Sequence, residues 1–217
     1  MRHDKKIGAV LSLCSLVLAQ PGCSNESQVA PKKLASRSQE DPRNMIKEIY
    51  NIRESIEEIV QDSPQNSTVI VSTYPEYLGS RDIIRRIQID ASHNSGTNVS
   101  QIQFKIAQDI QELPKDKNLI IIGATYSNIF VDDFKLGLSA EDIYIPSFGI
   151  GRIIGARLKN GKVGILITGY NEIDSQRAAN ALSKYDQIVN SQHYDFNFSI
   201  IDVVGSTATE GSLVIIK

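Results

Sequence analysis

Histidines and glycines are the residues whose types and spacing first suggest chemistry in this chain. His93 and His193 stand alone and lack the short spacing of metal-binding pairs. Residues 149–155 (GIGRIIG) resemble a dinucleotide-binding loop, but such a loop needs a helix after it, and a strand pattern follows here. A bend or bulge in a strand is therefore predicted. No Gly-x-Ser-x-Gly nucleophile elbow occurs, and we expect neither a catalytic set, nor a metal, nor a cofactor.

The charge balance and the cysteines exclude further classes of function. Lys plus Arg number 23 and Asp plus Glu number 25, so no basic excess exists to neutralise phosphates and nucleic acid is not an expected partner. Both cysteines, Cys14 and Cys23, lie near the N-terminus. Disulfides and thiolate chemistry are therefore not expected in the folded body.

The N-terminus is predicted to be an export signal over residues 1–23. A basic start is followed by an uncharged apolar run over residues 7–19, which is too short to span a bilayer. Cleavage after Ala19 and lipid attachment at Cys23 both stay open, so we expect an exported protein, extracellular or at the cell surface, with or without a lipid anchor. The polar residues 24–44 are predicted to form a flexible tether.

Residues 45–217 are predicted to form a single α/β domain. The periodic isoleucines of residues 45–61 predict a leading amphipathic helix. Strand and helix patterns then alternate, and Asn160 and Gly161 predict a hairpin turn with both residues at positive φ. The expected architecture is a layered, mostly parallel sheet with flanking helices and a β-hairpin, similar to flavodoxin and Rossmann folds.

The loops that follow three buried strands hold polar and aromatic side chains. In open α/β sheets, ligands bind beyond the carboxyl ends of the strands. The candidate ligand-binding residues in these loops are Tyr74, Tyr126, Asn128, Tyr170 and Asn171. A carbohydrate or another small ligand would suit such loops, although ordinary loop composition is the preferred explanation of these residues.

Sequons add a further chemical feature, because Asn66 and Asn98 fall in predicted loops and are candidate glycosylation sites. Asn197 also lies in a sequon, but the surrounding pattern predicts a strand, which makes it a poor acceptor.

Several stretches together resemble the globular domain of archaeal S-layer proteins. They are a buried strand and helix with an early Asp (residues 69–84), a strand that ends in glycine with a later Asn (119–128), and a Gly-Tyr strand end (161–170). An acidic residue, an Arg and paired alanines follow in residues 174–182. The periplasmic subunits of bacterial cellulose synthases show a related, weaker similarity.

The S-layer resemblance implies a non-enzymatic module of the cell envelope that contacts envelope proteins or other copies of itself, and it transfers no catalytic residue. A carbohydrate- or ligand-binding module is the second hypothesis. An enzyme with a flavodoxin-like fold is the third, because a fold does not fix a function.

Overall fold

A computed structural model describes residues 44–74, 77–96, 101–124, 126–139, 148–189, 192–208 and 211–215, and all of them fall within one compact unit. The predicted signal, Cys23, Asn98 and nearly all of the predicted tether lie outside the described residues. None of the helices in these ranges is long and apolar enough to cross a membrane.

The described chain forms ten strands and five helices. The strands are β1 (Ile46–Ile49), β2 (Thr68–Ser72), β3 (Gln103–Ile106), β4 (Asn118–Ile122), β5 (Ile150–Leu158), β6 (Val163–Gly169), β7 (Ile188–Val189), β8 (Gln192–His193), β9 (Ile200–Val204) and β10 (Ser212–Ile215). The helices are α1 (Ile52–Gln61), α2 (Pro64–Ser67), α3 (Tyr77–Ser95), α4 (Phe130–Lys135) and α5 (Glu172–Leu182).

Eight strands form one sheet in the order β10-β9-β5-β6-β4-β2-β3, with β1 paired to β5, while β7 and β8 form a separate pair. The predicted α/β class is confirmed. The sheet is mixed, however, and not mostly parallel. The pairs β2–β3, β2–β4 and β4–β6 are parallel, whereas β5 pairs antiparallel with β1, β6 and β9, and β9 pairs antiparallel with β10.

Isoleucine, leucine and valine fill both faces of this sheet. On one face, Ile120 and Ile122 pack with the apolar sides of α1, α3 and α5. On the other face, Leu119 and Ile121 pack with Phe130 and its neighbours in α4. The uninterrupted apolar run of β4 follows from this arrangement, because a central parallel strand is buried on both sides.

The predicted leading helix over residues 45–61 is wrong in its first turn, where the structure has strand β1. Ile46 pairs with Leu158 of β5, and the strand ends before the helix N-cap, Asn51. The Asn51 side chain accepts a hydrogen bond from Glu54 N at 3.1 Å, so α1 begins at Ile52. Sequence periodicity favours helix here, but pairing with a strand far along the chain decides the outcome.

The predicted hairpin between β5 and β6 is confirmed, but its turn type differs. Only Gly161 has positive φ, at 82°, and Leu158 N donates to Lys162 O at 2.8 Å. The connection is therefore a three-residue hairpin loop, in which a turn is followed by a glycine in the left-handed conformation, and not a two-residue turn. The side-chain oxygen of Asn160 accepts a hydrogen bond from Lys162 N at 2.8 Å and stabilises the turn.

Helix α3 begins at Tyr77, a few residues after the end of β2. Strand β5 begins directly after Gly149, which has φ 92°, so residues 150–155 of this glycine run lie inside a strand and not before a helix. The dinucleotide interpretation therefore has no structural basis.

Candidate binding surface

Three predicted loops meet at one edge of the sheet. Strands β2, β4 and β6 are neighbours and run parallel, so their carboxyl ends lie side by side. Neighbouring strands are about 4.8 Å apart, and the three loops therefore begin within about 10 Å of one another. Each loop carries one exposed tyrosine: Tyr170 follows β6, Tyr126 follows β4 and Tyr74 follows β2. Their exposed fractions are 58%, 68% and 77%.

Phe148 joins these tyrosines. It is 72% exposed and makes an edge-to-face contact with Tyr170, with ring centroids 6.3 Å apart. We call Tyr74, Tyr126, Phe148 and Tyr170 the aromatic edge. Sequence reasoning missed Phe148, although its position beside the Gly149 turn was a usable signal, because a turn before a strand exposes its neighbours.

Three of the exposed aliphatic side chains also belong to this end of the sheet. Ile129 follows β4, Ile173 stands in the first turn of α5, and Val204 ends β9 beside Ile150. Ile173 is 48% exposed although it stands in a helix that packs on the sheet. Large apolar side chains scattered singly over a surface need no explanation, whereas a cluster at one edge indicates a contact surface.

Asn128, predicted to bind a ligand, lies beneath this surface. Its side chain is fully buried and donates to Ile122 O at 2.9 Å, while its oxygen accepts from Phe130 N at 3.1 Å. A Cβ on Gly123 would lie 2.7 Å from the Asn128 Cβ, so the two residues fit closely. Asn128 therefore fixes the turn between β4 and α4 and is removed from the candidate ligand-binding set.

Asn171, the other candidate asparagine, is the N-cap of α5. Its side-chain oxygen accepts from Asp174 N at 3.0 Å. Because the Asn171 oxygen already caps α5, Tyr170 is the exposed side chain that the loop after β6 contributes to the aromatic edge.

Helix α5 holds the aromatic edge in place through a buried ion pair. Arg177 is 2% exposed, and its Nη1 donates to Asp174 Oδ1 at 2.8 Å and to Gly149 O at 2.9 Å. The Arg177 Nε donates to Thr207 O. Gly149 N in turn donates to Asp174 Oδ2 at 3.3 Å. The turn that carries Phe148 is thereby tied to the helix.

Glycines let α5 lie directly on the sheet. A Cβ on Gly151 would be 2.2 Å from Asp174 O and 2.8 Å from the Ala178 Cβ, and a Cβ on Gly169 would be 2.6 Å from the Asp174 Cβ. The acidic, arginine and alanine positions that carried the S-layer resemblance are thus explained by close packing of a helix on two strands.

A second buried ion pair crosses the sheet near the same edge. Arg152 Nε and Nη2 donate to the two carboxylate oxygens of Asp202 at 2.6 and 2.9 Å, and both side chains are 6% exposed. Arg152 also stands opposite Thr168 in the β5–β6 register. A two-bond fork of this kind satisfies both charges and leaves the carboxylate engaged.

Three groups with shifted pKa values lie on α1, on α4 and in the turn after α5, away from this edge. A hydrogen bond from Arg157 lowers the pKa of Glu58, burial raises the pKa of Tyr185, and burial lowers the pKa of Lys135. Groups with perturbed pKa values often mark reactive sites, but ion pairs also shift pKa values. Here these groups belong to or contact ion pairs of α1, α3 and α4.

The described residues contain no group of three or more His, Cys, Asp or Glu placed to hold a metal ion. His93 and His193 are both exposed. Flat, exposed aromatic rings can instead stack on the apolar face of a sugar or enter a pocket of a protein partner. The rings of the aromatic edge are suited to such contacts.

The described sequons are both on the surface. Asn66 is exposed, although it stands in the short helix α2 and not in a loop. Asn197 is exposed just before β9, so the predicted strand does not cover it. Asn197 is therefore as accessible as Asn66.

Fold and surface together define a mixed α/β domain with an aromatic contact edge. No family model matches the chain, and a search of curated proteins found no match.

Proposed function

We propose that this chain is an exported, non-enzymatic interaction domain of the cell envelope and that the aromatic edge is its contact surface. The observation that carries the proposal is the cluster of three tyrosines and a phenylalanine, each 58–77% exposed, at one edge of the sheet. The export pattern of residues 1–23 and the resemblance to S-layer modules support an envelope location. Envelope proteins or further copies of the chain are the proposed partners.

The exposed area supports this assignment. An aromatic side chain buries about 150–250 Å² when covered, so four side chains at these exposures leave roughly 500 Å² to cover. The largest apolar patch on a typical monomer is of about that size and is often functional. Covering such rings at the centre of an interface contributes about 1–2 kcal/mol or more per side chain.

A carbohydrate ligand is the second candidate, and strand order favours it. The parallel strands β2, β3, β4 and β6 lie in the order β3-β2-β4-β6, while α3 and α4 cover opposite faces. This arrangement is similar to the start of a flavodoxin-like, doubly wound sheet, in which the crevice lies where the winding reverses. Here that crevice would open between the ends of β2 and β4, beside Tyr74 and Tyr126.

Removal of the rings tests the contact surface. We expect Tyr74→Ala, Tyr126→Ala and Tyr170→Ala combined to weaken binding to isolated envelope fractions, or self-association in sedimentation, by at least about 100-fold. The matched control is Ile89→Ala, which trims an apolar side chain that is 42% exposed on α3. Unchanged thermal unfolding of each variant separates lost contacts from lost folding.

Equal binding by the triple variant and by the parent protein would contradict the proposed surface.

Mass spectrometry of the mature N-terminus tests export and distinguishes cleavage after Ala19 from lipid attachment at Cys23. Retention of an uncleaved chain in the cytoplasm would contradict the envelope assignment. Binding of soluble glycans that depends on Tyr74 and Tyr126 would favour the carbohydrate candidate.

A further inference from the structure

A polar cleft opens at the opposite edge of the sheet, where the parallel strands begin. It lies between the end of α1, the first residue of β4 and the β5–β6 hairpin turn, and it has a volume of about 340 Å³. That volume is at the lower end of the range for small-ligand sites. Its lining residues are Glu58, Gln61, Asp62, Asn118, Gly161 and Lys162.

Asn118 lines the cleft with a buried side-chain amide. The residue is 2% exposed, and its oxygen accepts from Val163 N at 3.1 Å. Its Nδ2 group is buried without a hydrogen-bond partner. A buried donor without an acceptor costs about 1–3 kcal/mol, so a ligand oxygen at this position would be favoured by a similar amount.

Two further buried polar atoms without hydrogen-bond partners lie close by in the fold. The Thr68 hydroxyl stands beside Asn118 in the β2–β4 register, and the Gln65 side-chain oxygen belongs to the short helix that leads into β2. Native proteins pair nearly all such atoms, and an exception indicates a place where water, an ion or another polar group is bound. A donor, an acceptor and a hydroxyl therefore accumulate around one end of β2 and β4.

The charges around the cleft cancel. Lys162 Nζ lies 2.7 Å from Asp62 Oδ2. Arg157 donates to both oxygens of Glu58, at 2.6 and 2.5 Å. A charged ligand would have to compete with one of these pairs. A neutral hydroxyl can use the remaining lone pairs of both carboxylates, because an ionised carboxylate accepts about four hydrogen bonds.

We infer that this cleft binds a neutral, polyhydroxylated ligand of the carbohydrate class. Asn118 Nδ2 donates to one ligand hydroxyl oxygen, and the carboxylates of Asp62 and Glu58 accept from neighbouring hydroxyls. Each sugar hydroxyl both donates and accepts, which matches a site that presents both kinds of group without net charge. This inference does not depend on the aromatic edge, which lies at the other end of the strands.

Nuclear magnetic resonance of the ¹⁵N-labelled full-length protein tests the inference directly. The neutral probes are methyl glycosides of glucose, galactose and mannose and free N-acetylglucosamine, with glucuronate and glucosamine as charged counterparts. We expect at least one neutral probe to shift the Asn118 side-chain NH₂ signals and the backbone amides of Asp62 and Gly161 saturably. The charged sugars should bind about tenfold more weakly.

Two variants and a control sharpen the test. Asn118→Asp keeps the acceptor for Val163 N but removes the NH₂ donor, and it should weaken binding about tenfold. Asp62→Ala changes an exposed position where folding is not at risk and should weaken binding severalfold. Glu57→Ala is the matched control, because it removes an exposed carboxylate of α1 whose partner, Arg53, lies outside the cleft.

The inference is overturned if no neutral probe shifts the cleft signals saturably, if charged sugars bind as tightly, or if both cleft variants bind like the parent protein. Loss of the three edge tyrosines should leave binding in the cleft unchanged, so the two proposed sites succeed or fail separately.

Discussion

Replacement of Arg177 by leucine should destabilise this fold more than the loss of any exposed arginine. Arg177 donates hydrogen bonds to Asp174, Gly149 O and Thr207 O, and both members of the Arg177–Asp174 pair are at most 2% exposed. Leucine retains apolar volume but leaves the Asp174 carboxylate buried without its cation.

The magnitude follows from that unpaired charge. Removal of one member of a buried ion pair costs about 3–5 kcal/mol. The freed Gly149 and Thr207 carbonyls add about 1 kcal/mol each where water does not reach them. A domain of this size is stable by about 5–15 kcal/mol, so Arg177→Leu should consume a large share of the total free energy of unfolding.

Urea unfolding followed by circular dichroism measures this loss as a lower midpoint at unchanged slope. Arg53→Leu is the matched control, since Arg53 also has acidic partners, including Asp186 at 2.6 Å, but is 30% exposed. Exposed ion pairs contribute about 0–1 kcal/mol. Adding Asp174→Asn to Arg177→Leu should recover part of the stability. Equal losses for Arg177→Leu and Arg53→Leu would refute the reasoning.

Further predictions concern the Arg157–Glu58 ion pair and two glycines of the β5–β6 region. Arg157→Met should raise the pKa of Glu58 toward its ordinary value, because it removes the hydrogen bonds that lower this pKa. In the parent protein the lowered pKa stabilises the fold above about pH 4.3, and this contribution is lost as the pH falls through the folded-state pKa of Glu58. Carboxyl ¹³C titration measures this, and an unchanged Glu58 pKa would contradict it. Gly161→Ala should cost about 1–2 kcal/mol through its positive φ alone, since open space surrounds its Cβ position. Gly151→Ala should cost more, because its Cβ would meet Asp174 O at 2.2 Å, and thermal unfolding of both variants should reproduce this ranking.

Local patterns in the sequence predict much of the fold. The apolar run of β4 and the hairpin at Asn160 and Gly161 occur as predicted, because each depends on residues close together in the chain, although only Gly161 of the turn has positive φ. Convergence of the tyrosine-bearing loops does not follow from sequence, because it depends on the strand order, and the structure places the parallel strands β2, β4 and β6 side by side.

The remaining features depend on distant partners. Ile46 and Ile49 fit a helix as well as a strand, and only the pairing of β1 with β5 decides between them. The direction of β9 beside β5 is equally invisible in local periodicity, so the antiparallel half of the sheet was not predicted in full. Burial of Asn128 is a similar case, because its partners are the backbone groups of a turn.

The Gly-Tyr strand end and the helix after it show how a family resemblance divides between fold and function. Gly169, Asp174, Arg177 and Ala178 all have structural duties, because they let α5 touch the sheet and tie it to the Gly149 turn. Any α/β unit with a helix packed this closely would need similar residues, so this part of the motif indicates architecture and not activity. Tyr170 differs, because its side chain is 58% exposed and its ring makes an edge-to-face contact with Phe148, which is also exposed. The function of this segment is therefore to be sought at Tyr170 and its neighbours on the aromatic edge.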